Sequence, residues 1–349
     1  MIDGTGGPDS GGPAGPPAHP AARSAARDGL DLAKRIVGGR AFKYAFVACA
    51  VGYGGYEIYR QWGDIHHALV RIGPVPAVGA LIVLFGMQFS NLRAWQVLLA
   101  GLGSPLRTTA VGRIYFIGQL GKYLPGSVWP ILAQMELGTA YRVPRARSAT
   151  TAVLAMMIGL LTGLVTALVT LPFAAHSEQY LWAFLAAPVL IACLHPKLLN
   201  PLLRFAFKLA RRPGLEEPLS GRVLVHAIAW SFAAWVFNGL QIWLLAVKLG
   251  APLGQAALLS VGGYAFAWCV GFLVIFAPAG AGIREVLLIA ILAPMIGTGP
   301  ATAVALVSRA VTILSDVLMA GAAAFRRPRL SQQPAETVPD LDPVTSPDR

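Results

Sequence analysis

Apolar residues in this chain come in long unbroken runs, not in the short amphipathic stripes of a soluble domain. Ala149 to Pro172, Val223 to Val247 and Gln255 to Ala277 contain no charged residue. About 20 such residues cross a bilayer as a helix. The pattern predicts full spans near 43–59, 77–100, 149–172, 179–195, 223–247 and 301–324. Two further apolar regions are interrupted. Ile114 to Gly138 is broken at Leu124-Pro125-Gly126, and Gln255 to Ile296 at Pro278-Ala279-Gly280-Ala281-Gly282. Proline removes a backbone donor and glycine admits unusual dihedrals. Inside a membrane such a break survives only where protein or water satisfies the freed backbone groups. Both regions therefore read as re-entrant hairpins or as pairs of half-helices beside a cavity. The predicted fold is an all-α polytopic membrane protein, with one transmembrane domain over residues 42–325.

The ends differ from this domain. Residues 1–20 hold eleven Gly or Pro residues, and residues 1–23 and 326–349 read as disordered tails. No apolar core follows a basic start early in the chain, so the first 30 residues do not read as a signal peptide. Segment 24–41 reads as a basic amphipathic helix, with Leu30, Ala33 and Val37 beside Lys34, Arg35 and Arg40. Residues 197–211 show similar stripes.

The sequence also repeats itself. Asn91 to Leu106 and Asn238 to Leu253 align at a constant offset of 147. That offset pairs Asn91 with Asn238, Gly103 with Gly250 and Pro105 with Pro252. Thr151-Ala152-Val153 then matches Thr302-Ala303-Val304 at an offset of 151. The halves, about 42–172 and 179–325, each hold one broken segment, and the span order gives them opposite topology. Inverted repeats with broken helices are the pattern of secondary transporters, whose sites lie between the repeats near the midplane.

Composition excludes several classes. The chain of 349 residues is 56% apolar and 13% charged, against about 25% charged in ordinary soluble proteins. The formal charge of +12 would draw attention to nucleic acid, but its placement argues for a membrane. Of 28 Lys and Arg residues, 20 lie in the N-terminal segment, the 101–113, 141–148 and 195–222 loops and the 325–329 end. The alternate loops hold only Arg60, Arg71 and Lys248. The positive-inside rule then puts both termini in the cytoplasm and the protein in the cytoplasmic membrane. Cys49, Cys193 and Cys269 sit in apolar segments and read as small buried residues.

Seven charges lie deep in the predicted spans and interrupted segments: Arg93, Lys122, Glu136, Arg284, Glu285, Arg309 and Asp316. Each Arg, Lys or Asp costs about 2.5–3.5 kcal/mol at a span centre, so such residues face a cavity or one another. Arg309 and Asp316 are seven apart and share a helix face. Lys122 precedes the first break; Arg284 and Glu285 follow the second on the opening turn of a half-helix, which favours an anion. Lys122, Arg284, Glu285, Arg93, Arg309 and Asp316 are thus candidates for an anionic headgroup site. The competing reading is structural ion pairing, such as Arg93 with Glu136 or Arg284 with Asp316. No catalytic cluster, metal-ligand set or phosphate-cradling motif is legible, and no cofactor is expected.

The segments Gly121-Lys122-Tyr123-Leu124-Pro125-Gly126 and Pro278-x-Gly280-x-Gly282-x-x-Glu285 resemble the transmembrane domain of lysylphosphatidylglycerol synthases and related flippase-like proteins. The resemblance covers about residues 40 to 325. It implies a domain that moves an aminoacylated or glycosylated lipid between leaflets. The soluble synthase domain of that family is not expected here, since only a short tail follows Phe325. Many relatives carry an acid just after Leu-Pro-Gly, where this chain has Val128-Trp129, which bears on the substrate more than on the fold. The leading expectation is a flippase-like transporter of anionic lipids. A lipid-modifying transferase, or a membrane partner of a separate synthase or glycosyltransferase, is the alternative.

Overall fold

Two helices of equal length organise the domain. The computed structural model describes residues 62–124, 128–175, 219–273 and 282–325, with a few isolated positions besides. In chain order the helices are α1 (Trp62–Ile72), α2 (Pro74–Gly101), α3 (Thr108–Gln119), α4 (Trp129–Thr139), α5 (Arg145–Ala175), α6 (Gly221–Lys248), α7 (Leu253–Leu273), α8 (Ile283–Ile296) and α9 (Thr298–Phe325). A 3₁₀ turn, Leu120–Tyr123, extends α3. Among the described residues there is no strand.

Both α2 and α6 have 28 residues, about 42 Å at 1.5 Å per residue. They stop in the same way. Gly103 has φ 84° and Gly250 has φ 98°, a region closed to most other residues. After α2, Ser104 N–H donates to Leu99 O and Gly103 N–H to Ala100 O. After α6, Ala251 N–H donates to Ala246 O and Gly250 N–H to Val247 O. These are two Schellman caps, each closed by a following proline, Pro105 or Pro252. The repeated Gly-x-Pro-Leu of the sequence is therefore a repeated helix stop.

Among the described residues, five helices are long and apolar enough to cross a membrane: Pro74–Gly101, Arg145–Pro172, Gly221–Lys248, Leu253–Leu273 and Thr298–Phe325. Four coincide with the spans expected at 77–100, 149–172, 223–247 and 301–324. The fifth is the first arm of the second interrupted region, 21 residues long on its own. The arms of the first region are shorter, with 12 residues in α3 and 11 in α4. The outer face of α2 presents Val75, Val78, Ile82 and Phe89 at helical spacing, all exposed, as a lipid-facing stripe. The expected spans 43–59 and 179–195, the tails, the basic segments and the break residues Pro125, Gly126, Pro278 and Gly280 lie outside the described residues.

Neighbours repeat in kind. Helix α2 packs on α9 as α6 packs on α5, and α3 meets α9 as α7 meets α5. Each short helix, α4 or α8, lies between the arm before it and the long helix after it. The α2–α6 contact joins the two halves and is the most extensive helix pair. Small residues set these approaches, as expected where packing and not water drives association. A Cβ on Gly86 would lie 2.8 Å from the Phe237 ring, and one on Gly239 would lie 2.5 Å from the Cα of Val261.

Candidate functional site

The charged residues flanking the breaks converge on helix α9. The 3₁₀ turn before the first break carries Lys122 and Tyr123. Asp316 of α9 is 3% exposed. Its Oδ2 accepts from Tyr123 Oη at 2.5 Å and lies 2.6 Å from Lys122 Nζ. Its Oδ1 accepts from Gln88 Nε2 of α2 at 2.5 Å. Three donors from two other parts of the chain thus hold one buried carboxylate, which offsets the cost of burying it.

Two turns earlier on α9, Arg309 donates through Nη1 to Glu285 Oε1 at 2.6 Å. Glu285 is the third residue of α8, and its Oε2 accepts from the Gly282 backbone N–H at 2.6 Å. That contact is the half of a capping box that does not need a side chain at the N-cap. Gly282 has φ 85°, which glycine adopts freely. Arg284, one residue earlier, approaches Glu285 only to 3.9 Å and lies over the Tyr264 ring at 5.5 Å.

Gln88, Lys122, Tyr123, Tyr264, Arg284 and Arg309 border a cavity of about 240 Å³. Lys122, Tyr123 and Leu124, before the first break, line it. So do Phe272, before the second break, and Arg284, after it. Arg309 contributes from α9, and Asn91 and Asn238 from α2 and α6. One partly open cavity is thus bordered by residues that flank both sequence breaks. An anion placed in it would meet the cations Lys122, Arg284 and Arg309.

The structure gathers five of the six candidate residues here: Lys122, Arg284, Glu285, Arg309 and Asp316. Arg93 lies elsewhere. Its Nη1 donates to Gln96 Oε1 at 2.9 Å and its guanidinium sits 5.8 Å from the Trp230 ring centroid. Glu136 pairs with Arg145 at 2.8 Å, and Asp316 with Lys122, so the alternative pairs Arg93–Glu136 and Arg284–Asp316 are not those formed. Gln88 and the aromatic partner role of Tyr264 were not anticipated. A glutamine inside an apolar run carries the signal, since a polar group there needs a partner. Among the described residues no three His, Cys, Asp or Glu side chains form a metal-binding group.

An all-α membrane domain with a charged cavity among its helices is the class that this geometry defines. The chain belongs to the family of the lysylphosphatidylglycerol synthase TM region, whose model matches residues 40–320. That makes it a membrane domain of a family linked to lipid handling. No curated protein matches the sequence significantly.

Proposed function

We propose that the protein is a flippase-like transporter that moves an anionic lipid, aminoacylated or glycosylated, between leaflets of the cytoplasmic membrane. The observation that carries this reading is the joint position of Lys122 and Arg284. They flank different breaks, about 160 residues apart in sequence, and line one cavity. Keeping cations inside a membrane domain is costly, and an anionic headgroup in transit would repay that cost. The equal lengths, matching caps and matching neighbours of α2 and α6 support an inverted repeat, in which the two halves would alternate access to the shared site. Basic loops support a topology with both termini cytoplasmic.

The test is reconstitution into liposomes containing a fluorescent anionic lipid in both leaflets, with a membrane-impermeant quencher outside. Protein should expose the inner-leaflet pool to quenching. The Lys122→Ala/Arg284→Ala protein, reconstituted to the same density, should fall to the protein-free rate. Transport at the protein-free rate by the native chain, or full transport by the double variant, overturns the reading.

A further inference from the structure

The chemistry of the headgroup follows from which charges face the cavity. Lys122, Arg284 and Arg309 line it, and among the described lining residues there is no Asp or Glu. The two acids nearest these cations are turned to other work. Asp316 is held by Gln88, Tyr123 and Lys122, and Glu285 caps α8 and accepts from Arg309. Lys122 and Arg309 are each paired with one of these acids, so Arg284 leaves the group with a net positive charge, which opposes a cationic headgroup in surroundings where charge–charge energies are several-fold larger than in water. Arg284 is suited to an anion. Its nearest acid is 3.9 Å away, and it stands on the first turn of a 14-residue helix.

The amides add a second requirement. Asn238 is 7% exposed and lines the cavity, and its Oδ1 has no hydrogen-bond partner among the described residues. Asn91, its equivalent in the first copy of the repeat, lines the same cavity from α2. An amide offers a donor and an acceptor side by side, and a phosphodiester, which offers acceptors only, satisfies just the donor. A hydroxyl donates and accepts without carrying charge, so it suits an amide beside cations. An ammonium also donates, but it carries the excluded sign.

We infer that the cavity takes a phospholipid whose headgroup beyond the phosphate is uncharged and hydroxylated, such as a glycerol, an inositol or a sugar. It discriminates against a phospholipid bearing a cationic aminoacyl group. The phosphate lies at Arg284 and the hydroxyls at Asn238 and Asn91. The inference rests on the lipid-transport reading for placing a lipid in this cavity; of the headgroups that reading admits, it drops the cationic aminoacylated ones and keeps the uncharged, hydroxylated ones.

Binding and transport are measured separately. The purified full chain in detergent is titrated with short-chain phosphatidylglycerol, phosphatidylinositol, phosphatidic acid and lysyl-phosphatidylglycerol, and with water-soluble glycerol phosphate, following thermal stabilisation. Phosphatidylglycerol and phosphatidylinositol should bind about tenfold more tightly than either lysyl-phosphatidylglycerol or phosphatidic acid. Asn238→Ala and Asn91→Ala should remove the advantage over phosphatidic acid and leave phosphatidic acid binding unchanged. Arg284→Gln should weaken every anionic lipid. Asn91 is the less buried of the two amides, so its variant keeps the test open if Asn238→Ala does not fold.

Equal or tighter binding of lysyl-phosphatidylglycerol overturns the inference, as does an equal loss of phosphatidic acid binding in the asparagine variants. Glycerol phosphate binding as tightly as the lipids overturns the lipid assignment. A protein that binds phosphatidylglycerol selectively but moves no lipid in liposomes sinks the transport reading and leaves this inference standing. One that moves both lipids at equal rates does the reverse.

Discussion

Lys122 and Asp316 meet at 2.6 Å with unequal exposure: the lysine side chain is 32% exposed and the aspartate 2%. The carboxylate is committed to the protein, while the ammonium keeps a face toward the cavity. Removing one partner is therefore a different perturbation from removing the other.

Asp316→Ala should destabilise the fold by about 3 kcal/mol, because it strands donors from Gln88 and Tyr123 as well as the lysine. Lys122→Met should cost less, about 1–2 kcal/mol, since Gln88 and Tyr123 still donate to the buried carboxylate. Asp316→Asn should fall between them by keeping an acceptor. Thermal unfolding in detergent gives the ranking, and a Lys122→Met loss as large as that of Asp316→Ala would contradict it.

The contact between Glu285 and Arg309 can be isolated by a double-mutant cycle. Glu285→Ala loses both the ion pair and the cap on Gly282, whereas Glu285→Gln keeps an acceptor for the cap. The alanine variant should be the less stable of the two by about 1 kcal/mol. Arg309→Met should cost much less in the Glu285→Ala background than in the native chain, giving a coupling of about 1–3 kcal/mol. Strict additivity would mean that the pair contributes nothing.

Two glycines should respond oppositely to added bulk. Gly239 faces the backbone of Val261, where a Cβ would come within 2.5 Å, and Gly239→Ala should destabilise by about 1–3 kcal/mol. Gly159 lines the cavity, and a Cβ there would have nothing within 4 Å. Gly159→Leu should leave the unfolding temperature unchanged or slightly raised, because a helix-interior glycine is itself unfavourable by about 1 kcal/mol relative to alanine. It should nevertheless block lipid translocation. Unimpaired transport by a correctly folded Gly159→Leu protein would show that lipid does not pass this point.

A hydroxyl relay ties α5 to α6. Thr162 Oγ1 and Ser231 Oγ share a hydrogen bond at 2.7 Å, and Trp235 Nε1 donates to Thr162 Oγ1 at 3.1 Å. Thr162→Val should cost about 1–3 kcal/mol by leaving the buried indole N–H unpaired. Trp235→Phe, which removes that donor, should then recover part of the loss in the Thr162→Val background. Unfolding of the four proteins checks this.

Much of the architecture is written locally. Long apolar runs mark the four spans that recur as α2, α5, α6 and α9, because burial in lipid depends on composition over one segment. The paired Gly103 and Gly250 mark the helix stops, since a left-handed residue is needed there whatever surrounds it. Helical periodicity also places Arg309 and Asp316 on one face. What periodicity cannot supply is the partner across the face. Tyr123 and Asp316 are 193 residues apart and meet only because α3 and α9 pack together. The same crossing sends Asp316 to Lys122 instead of Arg284, and so leaves Arg284 toward the cavity. Sequence alone determined that costly charges lie inside the membrane domain. Tertiary packing decided which of them neutralise one another and which face the cavity, because ion pairing depends on distances between helices that no single segment encodes.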